Sequence, residues 1–157
     1  LRETPMRASL FRRLMNLWPP FLFTGIRCTH LADDYRSAEV RLRLRWTNRN
    51  AMGVHFGGSL FAMTDPFYML MLMNALGRDH VVWDKAATID FVSPGRGTVT
   101  ARFRLDDDRL AEIRAAAATG DKVLPVFRVE VTGGDGRLVA TVDRTLYVRR
   151  KRSASAA

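Results

Sequence analysis

The 157-residue sequence is poor in the residues from which metal centres and disulfides are built. It contains one cysteine, Cys28, so no disulfide can form within the chain, which is typical of a reducing compartment. The three histidines, His30, His55 and His80, lie far apart, and no pair has the spacing of metal ligands. We therefore expect no metal site.

Long hydrophobic runs are also lacking. The longest uninterrupted apolar stretch, residues 66–73, is far too short to cross a bilayer. The N-terminal region carries arginines, as the start of a secretion signal does, but Pro19 and Pro20 interrupt it and no long apolar run follows. Apolar residues make up 47% of the chain, so we expect a globular, cytoplasmic protein without a membrane partner.

Acidic residues are few relative to basic ones, with 16 Asp and Glu against 25 Lys and Arg, a net charge of +9. A basic surface attracts nucleic acid, anionic lipid or phosphate-rich small molecules. Much of the excess lies near the ends, in residues 7–13 and 149–157, and the alternating arginines of residues 40–46 have no stacking aromatics between them. We expect no nucleic-acid partner, and a single domain over residues 1–148 followed by a basic disordered tail at 149–157.

Alternation of apolar and polar residues predicts five or six mostly antiparallel strands. The predicted strands cover residues 21–30, 40–46, 80–92, 98–105, 123–132 and 137–148. Gly-Gly-Asp-Gly at 133–136 predicts a hairpin between the last two strands. Helical spacing predicts an N-terminal helix at about 6–18, which Pro19 and Pro20 end, and a short helix at about 109–119.

Two of these strands carry specific expectations. The strand at 40–46 is expected to bury Trp46 with its other alternate apolar residues. The strand at 80–92 is expected to bury Ala87, Ile89 and Phe91. Asp84 beside Lys85 in the same strand predicts either a local ion pair or a kink at the strand edge.

The most apolar segment, residues 55–77, is the only one that a sheet could cover on all sides. Each predicted strand has one apolar face, and such a sheet must pack against something. The predicted architecture is therefore α+β, an antiparallel sheet of five to six strands wrapped around one long central helix.

Asp65, with Pro66 directly after it, interrupts this apolar segment. One interpretation is that Asp65 caps a helix that begins at Pro66, because both residues are favoured at those positions. The other is a continuous helix from about Gly58 with a kink near Pro66, which places Asp65 two turns after Gly58 on the same face. An acid on a buried helix is costly unless it is paired, neutral or facing a cavity.

The segments NRNAMGVHFGGSLFAMTD, residues 48–65, and AATIDFVSPGRGTVTARF, residues 86–103, resemble those of hotdog-fold acyl-CoA thioesterases. The resemblance is to the phenylacetyl-CoA-thioesterase-like branch, and closer still to a hotdog group of unassigned function, and it covers residues 22–148. It implies the hotdog fold and hydrolysis of an acyl thioester to free acid and CoA, with no cofactor beyond the CoA of the substrate. It also implies an acyl-CoA or acyl carrier protein thioester as partner, and a homodimer or dimer of dimers.

By this resemblance, Asp65 takes the position of the catalytic acid, as general base or nucleophile, and Asn50 that of the asparagine that positions water or substrate. Gly57 and Gly58 are the glycines at the helix start, where the missing side chains let a thioester carbonyl approach and the backbone N–H of Gly58 donates to the oxyanion. Arg96 is a candidate contact for the CoA phosphates. Its alternative is an ordinary exposed turn arginine.

The acyl group is expected to lie against Phe56, Phe61 and Met69. His55 is one residue earlier than in the thioesterase branch, with Phe56 in its place, so two roles stay open for it: a site residue, or a structural loop residue. His-Phe-Gly also resembles the His-Phe-Pro of hotdog β-hydroxyacyl dehydratases, although the proline is absent. The other alternative is a non-catalytic acyl-CoA or fatty-acyl binding protein of the same fold, in which Asp65 is a structural residue.

Overall fold

Alternating side chains build a single antiparallel sheet in the computed structural model, which describes residues 6–151. The strands are β1 (Ile26–Leu31), β2 (Ser37–Arg43), β3 (His80–Phe91), β4 (Thr98–Arg104), β5 (Val126–Gly133) and β6 (Leu138–Arg150). Their order across the sheet is β1-β2-β4-β5-β6-β3, so β1 and β3 are the two edge strands. The predicted hairpin joins β5 to β6, and Gly136 supplies the positive φ, 80°, that its turn requires.

The helices are α1 (Ala8–Leu17), α2 (Pro19–Thr24), α3 (Gly57–Ala62), α4 (Phe67–Leu76) and α5 (Asp107–Ala117). The N-terminal helix α1 lies against the edge strand β1. The side chain of Asn16 binds both the N–H and the carbonyl of Cys28, at 2.8 and 3.1 Å, and so occupies backbone groups that an edge strand would leave unpaired.

The central helical segment, α3 and α4, packs against one face of the sheet and confirms the predicted α+β hotdog architecture. Phe67 of α4 lies with its ring centroid 4.8 Å from that of Phe103 of β4, and Tyr68 stacks on Phe127 of β5 at 4.4 Å. Met71 and Leu72 are almost fully buried in the same core. Among residues 6–151, no helix has the length and apolar character needed to span a bilayer.

The central helix, residues 57–76, is interrupted once, between Ala62 and Phe67. The break coincides with Pro66, which has no N–H to donate to the preceding turn. Asp65 does not cap α4, because Pro66 takes the N-cap position and no side chain caps the helix. The interpretation of Asp65 as a helix cap is therefore wrong. The helical segment starts at Gly57, next to the Gly58 of the alternative, but residues 63–66 divide it into two helices, so the continuous kinked helix is not observed either.

Two sequence-based boundaries are wrong for local reasons. The predicted strand at 21–30 begins as helix α2, because Pro19 and Pro20 not only end α1 but open the next helix, where proline is favoured. The strand predicted to reach Trp46 ends at Arg43, and Trp46 lies in a short 3-10 turn, Trp46–Asn48, with 85% of its surface exposed.

The edge strand β3 is less buried than its pattern predicted. Ala87 and Ile89 are half-buried, whereas Phe91 is 60% exposed, because no strand covers the outer edge of β3 within the described residues. The strand does kink where the sequence suggested, with a bulge between Asp84 and Ala86. Of the predicted basic tail, residues 152–157 lie outside the described part of the chain.

Candidate active site

Asp65 lies in the break between α3 and α4, at the middle of the apolar central segment. Its side chain is 46% exposed, so the carboxylate reaches solvent although most of the surrounding segment is buried. One oxygen, Oδ2, accepts a hydrogen bond from Nη2 of Arg144 at 2.5 Å. Within residues 6–151, no hydrogen bond to the other oxygen, Oδ1, is found, which leaves that oxygen free to act on a ligand.

Arg144 lies beneath Asp65 on β6, and only 3% of its side chain is exposed. Its three nitrogens have three different partners: Oδ2 of Asp65, Oδ1 of Asp84 at 3.2 Å and the hydroxyl of Thr64 at 3.0 Å. The guanidinium also lies over the ring of Phe61, at 5.6 Å from the centroid. A buried arginine with every nitrogen engaged is a rigid support for the carboxylates that it binds.

Asp84, on β3, is the second carboxylate at this guanidinium, and its partner is Arg144 rather than the neighbouring Lys85. Burial raises the pKa of Asp84, the positive charge of Arg144 opposes that shift, and the negative charge of Asp65 adds to it. The predicted local ion pair with Lys85 is thus replaced by a pair across two strands. Asp65, Asp84 and Arg144 form a cluster with two negative charges and one positive charge.

His55 precedes α3, and 3% of its surface is exposed. Its Nε2 lies 3.0 Å from the carbonyl of Gly97, and its backbone N–H donates to the carbonyl of Gly95. A ring that donates from Nε2 leaves Nδ1 as an acceptor, and within the described residues Nδ1 is buried without a partner. Burial lowers the pKa of His55, so the ring is neutral at physiological pH.

The side chain of Asn50 shapes the loop before α3. Its Oδ1 accepts the backbone N–H groups of Met52 and Val54 at 2.9 and 3.2 Å, and its Nδ2 lies 3.5 Å from the carbonyl of His55. The oxygen of Asn50 is therefore committed to the backbone, and only the amide N–H groups are available to a ligand.

Aromatic rings, rather than open space, lie next to the glycines at the start of α3. A Cβ at Gly57 would lie 2.7 Å from the ring of Phe91, and a Cβ at Gly58 would lie 2.4 Å from the ring of Phe56. The expectation that the missing side chains leave room for a thioester carbonyl is corrected in this respect. Both rings are more than half exposed, so they border the space in front of the helix rather than fill the core.

A groove of about 690 Å³ runs along this region. It is lined by Asn50, Met52, Val54, His55, Phe56, Gly57, Leu60, Phe91, Val92, Ser93, Pro94, Gly95 and Arg96. Most of these are apolar, and the polar side chains are those of Asn50 and His55 before α3 and of Ser93 and Arg96 after β3. An apolar groove with a few polar groups is the usual character of a small-molecule site.

The nine candidate residues from the sequence fall into separate places. Asn50, His55, Phe56, Gly57 and Arg96 line the groove. Gly58 lies beneath Phe56, and Asp65 and Phe61 contact Arg144. Met69 is half-buried and packs against the core. Asp65 is not among the residues that line the groove of its own chain.

Arg144 was not predicted as a site residue, although the sequence contains a signal for it. In the alternating strand β6, residues 140, 142, 146 and 148 are apolar and buried, and residue 144 occupies the same inward series. An arginine at an inward position requires partners that satisfy its charge. Those partners, Asp65 and Asp84, lie 79 and 60 residues away in the sequence, so the pattern indicates a buried charge without identifying its neighbours.

Comparison with known proteins matches residues 7–148 to a single family model, a domain of unknown function designated DUF4442. No curated protein matches the sequence.

Solved structures share the fold over nearly the whole chain. A protein of unknown function from Pseudomonas aeruginosa, PA5026, described as a probable thioesterase, has a TM-score of 0.80 at 22% identity and covers 94% of this chain and 98% of its own. The thioesterase HI1161 from Haemophilus influenzae has a TM-score of 0.68 at 15% identity, with coverage of 98% and 97%. A mutant of the thioesterase PA1618 from P. aeruginosa has a TM-score of 0.67 at 16% identity, with coverage of 95% and 97%. At these identities the similarity establishes the fold.

Proposed function

This chain belongs to the DUF4442 family of domains of unknown function, and from that premise we propose that it is a thioesterase that hydrolyses acyl-CoA to a free acid and CoA. The observation that carries the proposal is the half-exposed carboxylate of Asp65 in the break of the mostly apolar central helical segment, held by the buried Arg144 with one oxygen left free. Two of the structural relatives with this fold are named as thioesterases, which supports the reaction class.

In the proposed reaction the free oxygen of Asp65 promotes attack on the thioester carbonyl carbon by one of two routes. As general base, it takes a proton from water while the water oxygen attacks the carbon. The carbon–sulfur bond then breaks, and the thiolate takes the proton back from Asp65 to leave as CoA. As nucleophile, Asp65 bonds to the carbon, the thiolate leaves and takes a solvent proton, and water then hydrolyses the anhydride and returns the carboxylate.

The groove supplies binding and orientation in this proposal. The acyl thioester lies along the apolar wall formed by Phe56, Leu60 and Phe91, and the guanidinium of Arg96 contacts the phosphates of CoA. Asn50 contributes an amide N–H to the substrate, since its oxygen is bonded to the backbone.

The site needs a second chain in this proposal. Asp65 does not line the groove of its own chain. Within residues 6–151, no strand pairs with the outer edge of the 12-residue strand β3, and Trp83 and Phe91 on it are more than half exposed. A homodimer would bring Asp65 of one chain to the groove of the other and cover that edge. An acyl carrier protein thioester is an alternative substrate, since its acidic surface complements a net charge of +9.

Thiol release from a panel of acyl-CoAs tests the proposal. We expect the wild type to release CoA from at least one member and Asp65→Asn to be about 100-fold slower or more, as for the loss of an acid–base group. Asp143→Asn is the matched control, because Asp143 pairs with Arg128 on the solvent face of the same sheet and is expected to keep full activity. Hydrolysis that survives Asp65→Asn would contradict the mechanism.

The second candidate is an acyl-CoA binding protein without hydrolytic activity. The observation in its favour is that Asp65 has a complete structural explanation as the partner of Arg144 and lies outside the groove of its own chain. Tight acyl-CoA binding with no thiol release from any substrate would favour this candidate.

A further inference from the structure

We propose that Arg144 is the positioning residue of this site and that Asp84 is the counter-charge that keeps Arg144 neutralised while Asp65 reacts. The inference rests on the thioesterase function proposed above and assigns roles to two residues outside the groove. Arg144 acts through Asp65 and does not touch the substrate.

The guanidinium of Arg144 binds both Asp65 and the residue before it, Thr64. Its Nη2 holds Oδ2 of Asp65 at 2.5 Å while its Nη1 donates to the hydroxyl of Thr64 at 3.0 Å. Thr64 is fully buried and donates in turn to the carbonyl of Phe61, at the end of α3. Asp65 and the residue before it are thus fixed to the same planar group, so the break between α3 and α4 holds one orientation of the carboxylate.

Two carboxylates are the charged partners of the Arg144 guanidinium. The strand neighbours of Arg144 in register are Ala87 on β3 and Phe127 on β5, and both are uncharged. Among residues 6–151, the only charged groups bonded to the guanidinium are Asp65, from the central helix, and Asp84, from β3. The state of the cluster is therefore determined by two carboxylates that share one cation.

The second carboxylate at Arg144, Asp84, is not needed to orient Asp65. A single ion pair between Arg144 and Asp65 would suffice to orient Asp65. In both proposed routes, however, Asp65 loses its negative charge transiently, by taking a proton or by forming an acyl bond. A guanidinium whose side chain is only 3% exposed would then be left unpaired, which is strongly unfavourable. Asp84, bonded to Nε of the same guanidinium, remains as its anion throughout the reaction.

The burial of Asp84 agrees with this role. Its side chain is 23% exposed, half as much as that of Asp65, and it binds Nε, beside the Nη2 that binds Asp65. Burial raises the pKa of Asp84 and Arg144 opposes the shift, so the charge of Asp84 depends on Arg144 as much as the reverse. The two carboxylates therefore have separate roles: the more exposed one reacts and the more buried one balances charge.

Steady-state kinetics of Arg144 variants on a hydrolysed acyl-CoA test the positioning role. We expect Arg144→Ala to lower kcat about 100-fold with KM almost unchanged, the loss expected from a misplaced catalytic group. Arg144→Lys keeps a cation without the planar fork, and we expect a smaller loss of about 10-fold.

Two further measurements separate positioning from a merely structural role. Methylguanidinium, at concentrations far below those that unfold proteins, is expected to restore part of the kcat of Arg144→Ala and to leave Asp65→Asn unchanged. Arg128→Ala is the matched control, because it removes an arginine–aspartate pair from the solvent face of the neighbouring strand β5. We expect it to leave kcat and KM unchanged.

Asp84→Asn tests the counter-charge. It keeps a hydrogen-bond acceptor for Nε of Arg144 and removes the negative charge, so we expect kcat to fall about 10-fold with KM unchanged. If Arg144→Lys and Asp84→Asn both keep wild-type kcat, the inference is wrong while the function stands. If the wild type releases no CoA from any substrate, the proposed function and this inference fall together.

Discussion

The guanidinium of Arg144 lies 2.5 Å from the carboxylate of Asp65, although the two residues are 79 positions apart in the sequence. The contact joins the inner face of β6 to the break in the central helix. It gives the most unusual residue of the apolar segment a fixed orientation.

Arg144→Met is expected to lower the free energy of unfolding by about 2–4 kcal/mol, because two carboxylates lose their shared cation. Arg128→Met, which breaks an exposed pair, should lose no more than about 1 kcal/mol. Urea unfolding measures the free energy of unfolding of both variants, and the dependence of that free energy on urea concentration should have the same slope in each. Adding Asp65→Asn and Asp84→Asn to Arg144→Met should recover most of the loss, since the leftover charges are then gone. Equal losses for the two single arginine variants would contradict the prediction.

The stability of the protein should depend on His55 in mildly acidic solution. Burial lowers the pKa of His55 in the folded state, so below pH about 6.5 the unfolded chain takes up a proton that the folded chain does not. Stability from this group is complete above that pH and is lost as the pH falls towards the folded pKa, by up to about 1 kcal/mol between pH 6.5 and 5.5. The urea midpoint of His55→Gln should not show this loss of stability between pH 6.5 and 5.5. The midpoint of His30→Gln, a substitution at an exposed position, should still show it.

Gly58→Ala should reveal the ring that covers the helix start. Alanine is favoured over glycine by about 1 kcal/mol within a helix, but its Cβ would lie 2.4 Å from the ring of Phe56. We expect Gly58→Ala alone to gain little or lose stability, and the same substitution in a Phe56→Ala background to stabilise by about 0.5–1 kcal/mol. Thermal unfolding of the four proteins in this cycle gives the coupling. Additive effects would show that the ring moves away without cost.

Cys28 should be almost inert in the folded protein. Burial raises its pKa to about 11, opposed by the charge of Arg12 and by a contact to the carbonyl of His30. At pH 8 we expect a thiol reagent to label Cys28 at least about 100-fold more slowly in buffer than in denaturant, because the thiolate is the reactive form. Asn16→Ala, which loses both bonds between α1 and the backbone of Cys28, should speed labelling. Fast labelling of the native wild type would show that β1 is not covered as described.

A site shared between two chains should allow complementation. Asp65→Asn lacks the reacting carboxylate, and Gly57→Leu should close the groove by pushing against Phe91. If each site takes its groove from one chain and Asp65 from the other, co-refolding the two inactive proteins in equal amounts should restore about a quarter of wild-type activity in a dimer. A mixture that stays inactive, while native mass spectrometry shows mixed dimers, would place both residues in the same chain's site.

Much of the fold follows from sequence pattern alone. Alternation in residues 98–105 and 137–148 predicted β4 and β6 within two residues at each end, because each strand has one face in the core and one in solvent. The glycines at 133–136 predicted the β5–β6 hairpin through the backbone conformations that its turn needs. The apolar character of residues 55–77 predicted the central helix, since no other segment could fill the sheet.

The details of the site depended on tertiary contacts. The sequence singled out Asp65 as an acid out of place and offered a helix cap as the simplest explanation. Its partner in the structure is Arg144 of the last strand. The alternating pattern places Arg144 on the inner face of that strand but does not identify the residues that it contacts. Likewise, only the folded structure shows that the ring of Phe56 lies over Gly58 and that the buried ring of His55 contacts the carbonyl of Gly97. Local periodicity determines which face of an element is buried, whereas the identity of each buried polar partner depends on which distant strands the fold brings together.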